Sequence, residues 1–234
     1  MLQTVRSIIL NLRVSLLDFV YPPLCVCCGE LLDNGKEQVC PRCWDSLARV
    51  SCDLPLYNET RTKLLSAGVV DELISVYVFE KEGAFQKIVH SLKYSGSQSL
   101  GVELGRRLGA RLREQGIRAD ALVPIPLHKR KLRERGYNQS ELIARGCSAV
   151  SFIPLRTDFV FRGKFTQTQT TLSLLERKSN MDDAFECTSN RTKGKTIILV
   201  DDIITTGATI ESCARVLKNA GAGKIIAASV ALAE

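Results

Sequence analysis

Residues 196–209 decide the fold, and they read Thr-Ile-Ile-Leu-Val-Asp-Asp-Ile-Ile-Thr-Thr-Gly-Ala-Thr. The apolar run 197–200 shows no alternation, which is typical of a strand buried on both faces of a parallel sheet. Asp201 and Asp202 close this predicted strand, and the apolar spacing of residues 210–217 predicts a helix after a short loop. Ligands of open α/β sheets bind at the carboxyl ends of strands, so this stretch is a candidate site.

The loop between strand and helix has the composition of an anion cradle: Thr205, Thr206, Gly207, Ala208 and Thr209. Hydroxyls, backbone N–H groups and a helix N-terminus together bind anions. Carboxylates repel phosphate but accept hydrogen bonds from sugar hydroxyls, so a phosphorylated sugar fits the pair better than a bare phosphate. The stretch resembles the 5-phosphoribosyl 1-diphosphate (PRPP) signature of type I phosphoribosyltransferases. This resemblance implies that Asp201 and Asp202, as candidate catalytic residues, hold the ribose hydroxyls while the loop binds the 5-phosphate.

The same stretch permits three other interpretations. The acids could be incidental to an ordinary strand, turn and helix, or they could form a response-regulator acid pocket, which leaves the Thr-Gly loop without a task. An apolar strand ending in two acids also resembles the Walker B element of an ATPase, and residues 194–196 mimic the end of a P-loop. A P-loop requires Gly where this chain has Ser189, and it must lie between a strand and a helix. Residues 194–196 instead lead into the predicted strand, so they do not match a P-loop.

The distribution of charge is more informative than the formal net charge of +7. Residues 106–135 hold ten Lys or Arg against three Asp or Glu, an excess as large as that of the whole chain. Such a region can bind phosphate, pyrophosphate or a nucleic-acid backbone, and solvated helix faces are the alternative interpretation. The 234 residues are long enough for one α/β domain with a small appendage.

Nine cysteines, six of them before residue 53, argue against a disulfide framework and favour a reducing cytosol. The stretch 5–20 is too interrupted by charge to span a bilayer and lacks a small-residue cleavage site. It is predicted to be an amphipathic helix packed on the protein, with a membrane-surface role as the alternative. The sequence thus predicts a cytoplasmic protein, with the inner face of the membrane as the second location considered.

Two Cys-x-x-Cys pairs near the N-terminus match a four-thiolate zinc site, with Cys25, Cys28, Cys40 and Cys43 as the predicted ligands. Cys27 is the spare thiol, and the pattern alone also permits it as a substitute ligand. The alternatives are a redox motif or buried free thiols. A closed four-sulfur site leaves no position for a substrate, so its role is structural.

The rest of the chain predicts alternating strands and helices. Strands are expected at 74–79, 121–125 and 159–162, helices at 85–94 and 100–113, and a connector without a motif at 44–72. The predicted domains are 1–60, an N-terminal helix with a zinc ribbon, and 61–234, the α/β domain. Residues 162–185 hold a polar Thr/Gln run before a short amphipathic helix, which predicts either a mobile lid or a surface loop.

A second informative stretch follows the strand at 121–125 and contains His128, Lys129, Arg130 and Arg135. A strand end that leads directly into a basic loop is where a parallel-sheet enzyme binds pyrophosphate or another polyanion, because the cations neutralise the departing charge. His128 is a candidate acid or base, although a single His in a basic loop is more often a solvated side chain.

Together these stretches resemble the ComF/GntX family of phosphoribosyltransferase-like proteins over nearly the whole chain. The resemblance rests on the cysteine pairs, the motif His-Ser-Leu-Lys-Tyr-Ser-Gly at 90–96, the basic segment ending in Arg-Gly-Tyr-Asn-Gln at 135–139, the spacing of residues 162–185, and the Asp-Asp loop. Many members carry a second cysteine pair where this chain keeps only Cys52, so one zinc is expected. The implied fold is α/β, a type I phosphoribosyltransferase-like parallel sheet with flanking helices plus a small zinc ribbon.

The resemblance implies PRPP binding with Mg²⁺ and a link to DNA uptake in natural competence, with single-stranded DNA and a helicase-like protein as candidate partners. Two hypotheses follow. The chain is a phosphoribosyltransferase whose acceptor is unknown, or it is a non-catalytic module that binds PRPP or single-stranded DNA for the competence machinery.

Overall fold

The computed structural model describes residues 22–32, 37–162, 185–187 and 190–234. The predicted N-terminal helix at 5–20 lies outside the described residues, as does nearly all of the predicted lid segment. The chain divides into two compact units, Met1–Leu47 and Ala48–Glu234. The division lies closer to the N-terminus than the domain boundary expected after residue 60. Residues 48–50 belong with the second unit because they hydrogen-bond to one of its strands, with the Val50 N–H donating to the Val76 carbonyl at 2.9 Å.

The first unit is built on tight turns. Leu24 and Leu31 form an antiparallel bridge, and between them the Gly29 N–H donates to the Cys25 carbonyl at 2.8 Å. Gly29 has a φ of 74°, a left-handed conformation that favours glycine. A short helix, α1 (Pro41–Asp45), follows and buries Trp44.

The second unit contains a four-stranded parallel sheet, as the sequence predicts. Its strands are β1 (Glu72–Val78), β2 (Ala121–Pro124), β5 (Thr196–Ile204) and β6 (Lys224–Leu232), in the order β1-β6-β5-β2. Two further strands, β3 (Val160–Arg162) and β4 (Phe185–Cys187), form a separate antiparallel pair. The β5 segment 197–200 is fully buried, which explains its continuous apolar sequence.

Helices cover both faces of the sheet. They are α2 (Pro55–Ser66), α3 (Ala84–Tyr94), α4 (Gln98–Glu114), α5 (Lys129–Arg135), α6 (Gln139–Ser151) and α7 (Ala208–Asn219). Residues of α2 and α7 share a hydrophobic core with Leu73, Leu199 and Ala227 of the strands. Helices α4 and α6 pack on the sheet as well, α4 on β1 and β6 and α6 on β5 and β2.

Glycines let α4 and α6 approach within backbone contact. A Cβ at Gly105 would lie 2.0 Å from the Ile143 carbonyl oxygen, and a Cβ at Gly146 would lie 2.0 Å from that of Val102. Any larger side chain at either position would force the helices apart. This packing sets the position of α6, whose first turn reaches the carboxyl end of β5.

Two expectations are corrected by the structure. The motif-free connector at 44–72 contains α2, and Pro55 stands at the first position of that helix, where its missing N–H costs nothing. The weak segregation of apolar residues along α2 hid it from a periodicity argument. In addition, Asp201 and Asp202 do not close β5, which continues to Ile204, so the two acids lie within the part of the strand that pairs with β6.

Candidate functional site

The acid pair lies at the carboxyl edge of the parallel sheet. Asp201 pairs in register with Ser229 of β6, and β2 ends beside β5, since Pro124 pairs with Val200. The Ile125 N–H donates to the Val200 carbonyl at 2.9 Å, so the chain that leaves β2 starts next to the acids. The structure thereby brings the acid pair and the start of the basic segment to one edge of the sheet, where ligands of open α/β sheets bind.

Asp201 is held by two donors. The Ser140 hydroxyl of α6 donates to Oδ1 at 3.0 Å, and the Asp202 backbone N–H donates to the same oxygen at 2.9 Å. Burial and the negative charge of Asp202 raise the pKa of the Asp201 carboxyl to about 7, against the opposing effects of these hydrogen bonds and of Lys93. A carboxyl with this pKa changes charge near neutral pH.

Asp202 forms an ion pair with a lysine of α3. Its Oδ2 lies 2.8 Å from the Lys93 Nζ, and the two side chains are only 15% and 23% exposed. Its Oδ1 accepts from the Ile203 N–H at 2.9 Å. Shielding from solvent strengthens this pair relative to a surface ion pair, and Asp202 is therefore positioned by both the backbone and α3.

The Thr-Gly loop leads from β5 into α7. Gly207 caps that helix with a φ of 78°, and a Cβ there would lie 2.6 Å from the Leu64 Cδ2, so both conformation and space favour glycine. Thr205 and Thr206 are exposed, and the Thr206 hydroxyl accepts from the Ala208 N–H at 3.4 Å. The first N–H groups of a helix have no intrahelical acceptor, so this loop can receive an anion.

The basic segment forms α5 beyond the end of β2. His128 acts as its N-cap, since its Nδ1 accepts from the Arg130 N–H at 3.2 Å. Lys129 and Arg130 are exposed, and Arg130 forms an ion pair with Glu134 at 2.9 Å. Arg135 stacks over the ring of Tyr94, 5.6 Å from its centroid. The predicted polyanion loop is thus a short exposed helix rather than an extended loop.

Residues after α5 connect it to the acid pair. The Tyr137 hydroxyl donates to the Leu92 carbonyl of α3. The Asn138 side chain donates to the Ile125 carbonyl at 2.9 Å and accepts from the Ser140 N–H at 3.1 Å, which caps α6. These bonds hold the ends of α3 and α6 against the edge where the acids lie.

Two residues in contact with the acids, Lys93 and Ser140, were not among the predicted site residues. Lys93 stood inside the motif at 90–96 that contributed to the family resemblance, and Ser140 directly follows the Tyr-Asn-Gln motif. In the sequence, only the proximity of Lys93 and Ser140 to these two motifs indicated that they could belong to the site. Their contact with residues more than 60 positions away depends on the fold and cannot be read from spacing.

The four predicted zinc ligands come together in the first unit. The sulfurs of Cys25, Cys28, Cys40 and Cys43 all lie within 4.8 Å of one another, and those of Cys28 and Cys40 are 3.8 Å apart. Four thiolates at zinc bond lengths of about 2.3 Å in a tetrahedron are about 3.8 Å apart, so the cluster fits zinc. Burial and the charges of Cys25 and Cys28 raise the pKa of the Cys27 thiol to about 11, against the opposing effect of a hydrogen bond with Cys43.

Comparison with protein families gives two matches. A model described as a phosphoribosyl transferase domain matches residues 156–233, and a double zinc ribbon domain matches residues 16–54. The second match supports a structural zinc at the cysteine cluster. The first spans β5, the acid pair, the Thr-Gly loop and α7.

Three relatives of this chain are named as competence or DNA utilization proteins. Competence protein F of Haemophilus influenzae is 35% identical over 108 residues, which cover 45% of this chain and 47% of that protein. DNA utilization protein YhgH of Escherichia coli K12 is 32% identical over 143 residues, covering 59% of this chain and 63% of that protein. Competence protein ComFC of Bacillus subtilis is 28% identical over 204 residues, covering 85% and 79%. The chain thus matches about half to three-fifths of the length of the first two.

Fold and site together define a protein with a type I phosphoribosyltransferase-like domain and an N-terminal zinc ribbon. Its homologues are ComF and ComFC competence proteins and YhgH, and the resemblance to the ComF family is confirmed. Among the residues that the structure describes, no helix is long and apolar enough to cross a membrane.

The cysteine cluster predicts about one zinc per chain in protein prepared under reducing conditions. Cys40→Ser removes one of four ligands and is expected to lose most of this zinc, because a three-thiolate site binds the ion far more weakly. Elemental analysis of purified protein measures it. Cys52→Ser, at an exposed cysteine outside the cluster, is the matched control. Full zinc in Cys40→Ser, or zinc loss in Cys52→Ser, would contradict the assignment.

The raised pKa of Asp201 predicts a pH-dependent stability. The folded state keeps the Asp201 proton up to about pH 7, whereas an unfolded aspartate loses it near pH 3.9, so this residue lowers stability progressively as pH rises between those values. Asp201→Asn carries no charge, and its stability relative to the wild type should therefore be higher at about pH 8 than at about pH 5. Urea unfolding at both pH values measures this difference. Asp53→Asn, at an exposed aspartate, should show no comparable change.

Proposed function

We propose that the second unit binds PRPP. The observation that carries the proposal is the placement of two positioned carboxylates beside an anion-binding loop at the carboxyl edge of a parallel sheet. Carboxylate oxygens accept hydrogen bonds from vicinal hydroxyls, and the two carboxylates together have lone pairs beyond those that Ser140, Lys93 and the backbone occupy. The ribose then lies over Asp201 and Asp202.

The positions of the 5-phosphate and the diphosphate of PRPP follow from this placement of the ribose. The 5-phosphate binds the loop 205–209 at the start of α7, where N–H groups and the exposed Thr205 and Thr206 hydroxyls are available. The diphosphate extends toward the segment after β2, which begins beside the acids. Mg²⁺ would enter with the diphosphate, and the carboxylate oxygens of Asp201 and Asp202 are of the ligand type that would hold it.

In the catalytic form of this proposal, the chain is a phosphoribosyltransferase. An acceptor nucleophile forms a bond to the ribose C1 while the bond from C1 to the diphosphate oxygen breaks, and the diphosphate leaves with the bonding electrons. The carboxylates would stabilise the positive charge that develops on the ribose during this exchange. In the binding form, the same pocket holds PRPP without transfer. The catalytic form and the binding form therefore differ in whether an acceptor receives the phosphoribosyl group.

PRPP binding is measured by titration calorimetry in the presence of Mg²⁺. Asp202→Asn removes a charged acceptor at the ribose and should weaken binding by about tenfold to a hundredfold, since hydrogen bonds to charged groups contribute about 1.5–3 kcal/mol. Asp53→Asn should bind as the wild type does. The proposal is wrong if the wild type neither binds PRPP nor is stabilised by it on heating. Diphosphate release that disappears in the Asp201→Asn/Asp202→Asn double variant would establish the catalytic form.

We also propose that single-stranded DNA binds along α5. The relatives carry names of competence and DNA utilization, and the helix exposes Lys129, Arg130, Lys131 and Arg133 to solvent. Cations on one exposed helix neutralise successive phosphates of a nucleic-acid backbone. A helicase-like protein of the uptake machinery, which the family resemblance implies, would be the partner that supplies the strand.

The DNA proposal predicts a steep salt dependence. The affinity for an unstructured oligonucleotide should fall as salt rises, and Lys129→Gln/Arg130→Gln should flatten the slope by about 1.4, because each phosphate that is no longer neutralised reduces it by about 0.7. Fluorescence anisotropy over a range of salt concentrations measures both slopes. Lys63→Gln, an exposed lysine on α2, is the control and should leave the slope unchanged. An unchanged slope in the double variant would place the DNA elsewhere or exclude it.

A further inference from the structure

Lys93 connects the C-terminal end of α3 to the acid pair through its ion pair with Asp202. It lies one residue before the end of α3, and cations are favoured at the C-terminal end of a helix. The Leu92 carbonyl accepts from the Tyr137 hydroxyl, and Arg135 stacks on the neighbouring Tyr94. The end of α3 is therefore tied to the basic segment on one side and to Asp202 on the other.

The proposed ligand creates a conflict of charge at this position. A ribose held by Asp201 and Asp202 carries its 1-diphosphate within a few ångströms of both carboxylates, and like charges at that distance repel strongly where solvent is excluded. The exposed side chains of Lys129 and Arg130 lie on α5, and Arg130 is already paired with Glu134. Mg²⁺ entering with the diphosphate would offset part of this repulsion, and the ammonium of Lys93, which already contacts Asp202, is the described protein cation placed to offset more of it.

We infer that Lys93 is a diphosphate-binding and specificity-determining residue of the proposed PRPP site. In the free protein its ammonium pairs with Asp202 at 2.8 Å. In the complex it bridges the same carboxylate and the 1-diphosphate of the ligand. An ammonium has three N–H donors and a flexible stem, so one donor can stay on Asp202 while another contacts a phosphate oxygen.

This role separates PRPP from ribose 5-phosphate. Both ligands offer hydroxyls to the acids and a 5-phosphate to the loop, but only PRPP offers a diphosphate at C1. Lys93 would therefore contribute to PRPP affinity and little to that of ribose 5-phosphate. A residue that merely holds Asp202 in place would affect both ligands equally, because both use Asp202. The inference rests on the proposed PRPP binding.

The experiment compares the two ligands at one Mg²⁺ concentration. PRPP affinity is measured by calorimetry and ribose 5-phosphate affinity by competition with PRPP, in the wild type, Lys93→Met and Lys93→Gln. Lys93→Gln keeps an N–H donor toward Asp202 without the charge, so it serves as the variant that preserves the position of the acid. Lys87→Met, at an exposed lysine on the same helix, is the matched control.

In both Lys93 variants the preference for PRPP over ribose 5-phosphate should fall by about tenfold or more, the effect of losing one charge-assisted hydrogen bond. Lys87→Met should keep the wild-type preference. An unchanged preference, with both affinities reduced alike or neither reduced, would overturn the role of Lys93 and leave the PRPP proposal standing. A wild type that binds no PRPP would overturn the PRPP proposal itself.

Discussion

The balance of charge at the end of β5 is the constraint on which the site depends. Two adjacent carboxylates lie on a strand that is buried along most of its length, and water can solvate them only in part. Lys93, the Ser140 hydroxyl and the backbone N–H groups of residues 202 and 203 compensate them instead. The compensation is incomplete for Asp201, whose pKa rises to about 7. One lysine, one hydroxyl and two backbone N–H groups contact the acids, and these contacts leave carboxylate lone pairs available as acceptors.

The donors that compensate these acids come from helices that other contacts hold in place. Ser140 belongs to the first turn of α6, and α6 is locked to α4 by backbone approach at Gly105 and Gly146. Lys93 belongs to the end of α3, which the Tyr137 hydroxyl joins to the segment after α5. The geometry of the acid pair therefore depends on tight glycine packing and on a hydroxyl contact, neither of which touches the acids.

Much of this architecture could be predicted from local sequence. A continuous apolar run predicts a strand buried on both faces, and the structure confirms this for β5. Two Cys-x-x-Cys pairs predict a sulfur cluster because tight turns place each pair on one side, and the four sulfurs do converge. The helix α2 escaped prediction because its apolar residues are not segregated on one face and its first residue, Pro55, equally marks a turn. Lys93 and Ser140 escaped because periodicity says nothing about which helix end meets which strand end.

The sequence by itself determined the doubly buried strand β5, the acid pair followed by a Thr-Gly loop, and the four thiolates, since each follows from residues that lie close together in the chain. Tertiary structure alone decided which side chains neutralise the acids. It also converted the basic loop into an exposed helix that is capped by His128 and braced by Arg135 against Tyr94. The reason is that charge compensation at a half-buried strand end depends on distances of about 3 Å between residues far apart in the chain, and only packing sets such distances.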